Sequence, residues 1–189
     1  MPQLKPDAAL ILVDIQQGFN LDDYWGKRNN PDAEDHMERI LNTWRETNRP
    51  IFHIKHNSVM PNSPLNPKHE GNAFKPPFEP QGDDPVLGKT VNSAFIGTDL
   101  EQRLRDAGIE QVVIIGLTTN HCVSTTTRMS GNLGFETYLV SDATATHERA
   151  GYNGQHYTAQ QIHDMELSSL HNEFATVVTT DEIITMATA

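Results

Sequence analysis

Val112-Val113-Ile114-Ile115-Gly116-Leu117-Thr118-Thr119-Asn120-His121-Cys122-Val123-Ser124-Thr125-Thr126-Thr127-Arg128-Met129 passes from an unbroken apolar run, through a short turn, into a segment free of Gly and Pro. A short continuous apolar run of this kind fits a strand covered on both faces, as in parallel sheets. The stretch therefore predicts a strand over Val112–Gly116, a tight loop, and a helix that opens at Cys122 and runs to about Gly131 or Gly134. That order sets the single cysteine of the 189-residue chain at a helix N-terminus. Unpaired backbone N–H groups and the positive end of the helix dipole converge there. A thiol so placed is expected to ionise more easily than a free one.

The same alternation extends in both directions. Ala8-Ala9-Leu10-Ile11-Leu12-Val13-Asp14 is an apolar run ending in a carboxylate, and Pro50-Ile51-Phe52-His53-Ile54-Lys55-His56 reads as a second strand. Between them, Asp32 to Asn48 carries Met37, Ile40, Leu41 and Trp44 at helical spacing. Thr98-Asp99-Leu100-Glu101 has the pattern of a capping box opening a helix with Leu100, Leu104 and Ala107 on one face, closed by Gly108. Thr137–Ser141 is a further strand. Thr158-Ala159-Gln160-Gln161 is a second capping box, predicting a helix with Ile162, Met165 and Leu170 inward, and Ala175–Val178 is the last strand. Strands alternating with helices imply a single α/β domain over 1–189, a three-layer α/β/α arrangement around a mostly parallel sheet of about six strands. Ligands bind such sheets at the carboxyl ends of the strands, so Asp14 and Cys122 belong on the binding edge. Asn57 to Pro85 holds seven of the eleven prolines and no helical stripe, which suits a lid or an arm.

Net charge is −11, which argues against nucleic acid or an anionic membrane as partner. One cysteine cannot form an internal disulfide. The apolar run after the N-terminus is too short for a signal peptide or a membrane span, so a cytoplasmic protein is expected.

Lys89 follows Val86-Leu87-Gly88, a possible short strand after the proline-rich segment, and would reach the same edge. Asp14, Lys89 and Cys122 then form a chemically sensible set. A sulfur nucleophile attacks a carbonyl carbon, and a carboxylate takes the thiol proton and later returns it to a leaving amine. An ammonium favours both anions, and backbone N–H groups hold the oxyanion. Taken singly, each residue has a plainer reading: a buried apolar cysteine, a strand-ending turn residue, a solvated loop lysine.

Three motifs in order change that balance: Leu12-Val13-Asp14-Ile15-Gln16 with Phe19; Lys89 with Ser93-Ala94-Phe95-Ile96-Gly97-Thr98; and Gly116-Leu117-Thr118-Thr119-Asn120-His121-Cys122-Val123. Together they resemble the isochorismatase-like cysteine hydrolases, a superfamily that includes nicotinamidases and carbamoylsarcosine amidases, and the likeness spans nearly the whole chain. The resemblance implies an Asp14, Lys89, Cys122 triad and a Rossmann-like fold. It also implies a cis peptide at Leu117–Thr118 and an oxyanion hole from the N–H groups of Thr118 and Cys122. It implies a homo-oligomer, dimer or tetramer. Nicotinamidases of the superfamily carry an Asp-x-His and further histidines that bind a metal after the second strand. Here that stretch reads His56-Asn57-Ser58, so neither that metal nor an organic cofactor is expected. Isochorismatases proper lack the cysteine, and its presence favours C–N cleavage of a small amide or carbamoyl-type substrate over vinyl-ether hydrolysis. A non-covalent isochorismatase-type hydrolase and a non-catalytic binding protein are the alternatives. Phe19, Trp25 and His121 are the candidate substrate contacts, with Tyr24 beside them.

Overall fold

The computed structural model describes residues 3–189; Met1 and Pro2, where the sequence reading of the N-terminus begins, lie outside the described residues. Six parallel strands form the central sheet: β1 (Ala9–Val13), β2 (Ile51–His56), β3 (Val86–Lys89), β4 (Gln111–Leu117), β5 (Glu136–Ala145) and, last in the chain, β8 (Thr176–Val178). Their spatial order is β3-β2-β1-β4-β5-β8. The chain builds outward from β1 to the β3 edge and then returns to lay β4 against the other side of β1. The strand order reverses there, and a crevice opens between the carboxyl ends of β1 and β4.

Alternation along the strands divides the core in two. Leu10 and Leu12 of β1 and Val113 and Ile115 of β4 face Met37, Ile40, Leu41 and Trp44 of α2 (Ala33–Glu46). A C-terminal helix that the sequence reading did not foresee, α6 (Thr180–Thr188), adds Ile183 and Met186 to that layer. Ala9, Ile11 and Val13 point the other way with Val112 and Ile114. They meet α3 (Leu100–Asp106), α4 (Ser124–Asn132) and α5 (Ala159–Leu170). β1 and β4 are thus covered on both faces, as their uniform hydrophobicity requires. No helix among the described residues is long and apolar enough to cross a membrane.

Several local expectations are corrected. The Thr98 capping box does not form: the N-cap is Asp99, one residue later and without a side-chain bond, while Thr98 Oγ1 donates to the Ala94 carbonyl and accepts from the Leu100 N–H at 3.4 Å. The Thr158 box does form, with Gln161 reciprocating, and a second box at Thr179 and Glu182 starts α6. Along α5 the inward residues are Ala159, His163 and Leu170, whereas Met165 is 70% exposed and Ile162 half-buried. The helix after β4 does not open at Cys122; a π-helical turn, Thr119–Val123, precedes α4 and contains the cysteine. β5 is twice the expected length because its register with β4 jumps between Ile114↔Leu139 and Gly116↔Thr144. Asn30 Nδ2 donates to the Ser141 and Thr144 carbonyls on either side of this bulge. A short helix, α1 (Asp22–Trp25), follows Phe19, and a small antiparallel pair, β6 (Arg149–Ala150) and β7 (His156–Tyr157), follows β5.

The proline-rich segment lies against the carboxyl ends of the strands. Phe74 bridges Gln16, and Lys75 reaches Glu34 of α2 at 2.5 Å. Glu34 also accepts from Arg28. Burial works against the Glu34 charge, but the Arg28 guanidinium and the Lys75 ammonium outweigh it and hold the carboxyl down at about 2. This ion-pair contribution is complete above the unfolded value near 4.5 and is lost as pH falls through about 2. Glu34→Gln is expected to lower the urea midpoint at pH 7, with the gap to wild type narrowing in titrations at pH 4 and pH 3. A gap constant with pH would show that the pair is not its source. Trp44 is fully buried and its Nε1 donates to the Ala8 carbonyl at 3.0 Å. Trp44→Ala is expected to cost about 3–5 kcal/mol in chemical denaturation.

Candidate active site

Asp14 is the first residue past β1 and has φ +52°, a left-handed conformation uncommon outside glycine and asparagine. The chain leaves the strand sharply there, and the carboxylate remains under the sheet edge at 0% exposure. Gly116, level with Val13 across the β1–β4 pair, has φ +127°, and a Cβ on it would lie 2.1 Å from the Val13 carbonyl oxygen. Only glycine lets β1 and β4 close at this height. The next bond along β4, Leu117–Thr118, is cis.

Lys89 ends β3, two strands from Asp14, and its side chain crosses the end of β2 to reach it. Lys89 Nζ donates to Asp14 Oδ2 at 2.6 Å, and both side chains are wholly buried. The strand crossed in between contributes His56, paired in register with Lys89. Its Nδ1 lies 3.1 Å from Lys89 Nζ. Burial, then the neighbouring Lys89 charge, hold the His56 imidazole below its usual pKa, so it is neutral and Nδ1 accepts from the ammonium. Gln16, also fully buried, fixes His56 in turn: Oε1 accepts from the His56 N–H at 2.8 Å and Nε2 donates to the His56 and Asn72 carbonyls.

Cys122 completes the cluster. A carboxylate oxygen of Asp14, an imidazole nitrogen of His56 and Sγ of Cys122 all lie within 4.8 Å of one another. Asp14 Oδ1, unlike Oδ2, is buried with no hydrogen-bond partner among the described residues. Burial pushes the Cys122 thiol up, the Asp14 charge adds to this, and Lys89 opposes it. The direction is opposite to the lowering expected from a helix N-terminus alone, because Cys122, within the π-helical turn, is only 8% exposed. Asp14, His56 and Cys122 are donors of the type that bind transition metals. Two of them already receive N–H from Lys89, so the cation in this cluster is the chain's own ammonium. His69 lies exposed and bonds the Pro61 carbonyl.

A cavity of about 200 Å³ opens over Cys122, walled by Phe19, Trp25, His56, Leu65, Thr118 and His121 among others. The Phe19 and Trp25 rings are 5.1 Å apart, and Trp25 Nε1 donates to the Gly18 carbonyl at 2.8 Å. Phe19, Trp25 and His121, the three side chains singled out in the sequence, all line it. Tyr24 stands edge-on to Trp25 and lines a second, outer cavity of about 400 Å³ that shares Trp25, Thr118 and His121 with the first. Sequence reasoning weighed His56 only as a metal ligand. Its place at the end of β2, beside strands ending in Asp14 and Lys89, was the signal that could have put it here. Leu65 and the outer wall, His147 to Arg149, carried no such signal, because loop course and the β5 bulge decide where they fall.

Residues 8–182 match the isochorismatase domain family. The chain is 52% identical over 181 residues to YrdC of Bacillus subtilis, an uncharacterised isochorismatase family protein, with 96% of each chain covered. It is 27% identical to nicotinamidase 3 of Arabidopsis thaliana, covering 93% of this chain and 86% of the relative. A crystal structure of an isochorismatase-family protein from Chromobacterium violaceum superposes with a TM-score of 0.94 at 38% identity, covering 98% of this chain and 96% of that one. The doubly wound sheet with its switch-point crevice agrees with the sequence match, and the chain belongs to the isochorismatase family of hydrolases, in the isochorismatase-like cysteine hydrolase superfamily.

Proposed function

We propose that the protein hydrolyses a C–N bond of a small amide or carbamoyl-type compound through a thioester on Cys122, with Asp14, Lys89 and Cys122 as its catalytic residues. One observation carries this reading: Asp14 has one oxygen fixed by Lys89 and the other buried and unpartnered among the described residues, and its carboxylate lies within 4.8 Å of the thiol sulfur. A buried acceptor without a donor is costly, and a thiol proton is what the surroundings offer it. The nicotinamidase among the relatives is an amide-cleaving enzyme by name, which agrees with this chemistry.

The steps follow from the charges. Burial keeps the resting thiol protonated, so proton transfer accompanies attack: Asp14 Oδ1 takes the proton while Sγ bonds to the carbonyl carbon. The carbonyl electrons move to oxygen, and the N–H groups of Thr118 and Cys122 at the cavity wall receive the oxyanion. The tetrahedral adduct collapses, the C–N bond breaks, and the Asp14 proton leaves with the amine. Water, deprotonated by Asp14, then attacks the thioester; a second collapse returns the proton to sulfur and frees the acid. Lys89 holds the Asp14 side chain in place by its 2.6 Å contact as the proton comes and goes, and His56 accepts from the ammonium on the far side. No resident metal or organic cofactor enters these steps.

Cys122→Ala is expected to lower kcat by about 10⁴-fold or more on an amide panel read by ammonia release, with an unchanged thermal midpoint. Residual turnover near wild type would remove the nucleophile and favour the non-covalent reading. Asp14→Asn is expected to lose at least about 10²-fold. Because the thiol is held protonated, alkylation of Cys122 by iodoacetamide should keep accelerating with pH beyond the range where a free thiol levels off, near 8.5. A plateau below pH 8 would reveal a preformed thiolate and contradict the coupled proton transfer.

A further inference from the structure

We infer that the outer cavity is a carboxylate subsite, with Arg149 as the residue that selects amides or carbamoyl compounds bearing an acidic tail. The inference rests on the hydrolytic reading above and names its substrate class. In a chain with 25 acidic residues, five of the eight arginines pair with carboxylates: Arg28, Arg39, Arg103, Arg105 and Arg128. Arg45 and Arg49 donate to backbone carbonyls. Arg149 is different. Among the described residues the one hydrogen-bond partner of its guanidinium is an imidazole nitrogen, Nε2 of His121, at 2.8 Å. The adjacent carboxylate in the same cavity, Glu148, is turned to the Lys27 N–H and to His156 and is not paired with Arg149.

The hydrogen-bond directions make this wall a set of donors. A guanidinium only donates, so His121 Nε2 must carry the lone pair. Burial, then the Arg149 charge, hold His121 below its usual pKa, so the imidazole is neutral and its hydrogen is on Nδ1. Nδ1–H therefore donates to Thr118 Oγ1, 2.9 Å away. The Thr118 hydroxyl accepts that bond and keeps its own hydrogen free, with no other partner among the described residues. Thr118 and His121 line both cavities. A ligand spanning the two would meet Cys122 in the inner chamber and, in the outer one, the remaining guanidinium N–H groups with the Thr118 hydroxyl within the shared wall. The group that satisfies donors alone, with a positive charge among them, is a carboxylate. His121 acts here as a positioning residue: it fixes the guanidinium at the mouth.

The test uses the single cysteine as a reporter. N-iodoacetyl-β-alanine and its methyl ester carry the same electrophile and differ in the tail. Alkylation of Cys122 is followed by intact mass, and the acid-to-ester rate ratio is compared with that of glutathione. Wild type is expected to exceed the glutathione ratio about tenfold. Arg149→Met should bring the ratio down to that of glutathione, and Arg149→Lys should retain part of the excess. Arg149 is exposed, and matching thermal midpoints will show that the variants fold. A wild-type ratio equal to that of glutathione, or an excess unchanged in Arg149→Met, overturns the subsite while leaving the Cys122 chemistry standing. No alkylation by either reagent overturns the nucleophile and the subsite together.

Discussion

A buried ion pair sets the terms for the rest of this molecule. Asp14 and Lys89 are fully enclosed and meet at 2.6 Å. Two charges withdrawn from water are tolerable only when each has its partner, and removing one leaves the other stranded at about 3–5 kcal/mol. That condition governs the sheet. β1, in its interior, must end level with the lysine of its edge strand, and β2 between them must offer a group that tolerates an ammonium passing over it. A neutral imidazole serves; a second cation would not. Gln16, the next buried polar residue after Asp14, holds that imidazole by its backbone. The chemistry of the site and the register of three strands are therefore one constraint.

The pair is also asymmetric, and the reactivity follows from that. Lys89 takes Oδ2 and leaves Oδ1 free. The ammonium thus both stabilises the carboxylate and aims it. The sulfur, enclosed by the π-helical turn after β4, is kept neutral by the same enclosure. A resting site with one cation, one anion and a neutral thiol is balanced in charge, and in the proposed reaction the bound carbonyl would supply the place where new negative charge forms.

The fold was legible in the sequence because its signal is local. Continuous apolar runs mark strands covered on both faces, and the spacing of Met37, Ile40, Leu41 and Trp44 marks a helix with one buried stripe. The positions of Asp14, Lys89 and Cys122 at strand ends could be read the same way. What escaped was set by contacts distant in sequence. Thr98 satisfies the spacing of a capping box, but the helix starts one residue late for it, with Asp99 as N-cap. Met165 fits a helical period, but α5 turns His163 inward, where its Nδ1 meets Thr119 Oγ1 at 2.9 Å. The three residues of the outer wall, His147, Glu148 and Arg149, depend on a bulge that no period in β5 announces. The thiol's shift depended on how deeply the turn encloses it, which spacing alone does not express.

Lys89 sits on the outermost strand, bonded on one flank only, by β2. Margins of sheets fray before centres do, since fewer ladder bonds must break. The protein thus entrusts the cation of its most enclosed pair to one of the two edge strands of its sheet. Detachment of β3 would withdraw the ammonium and leave an orphan anion next to the sulfur, while β1, β4 and their helices stayed in place. Competence and foldedness can therefore part company on warming, the first failing at the periphery before the second fails at the centre.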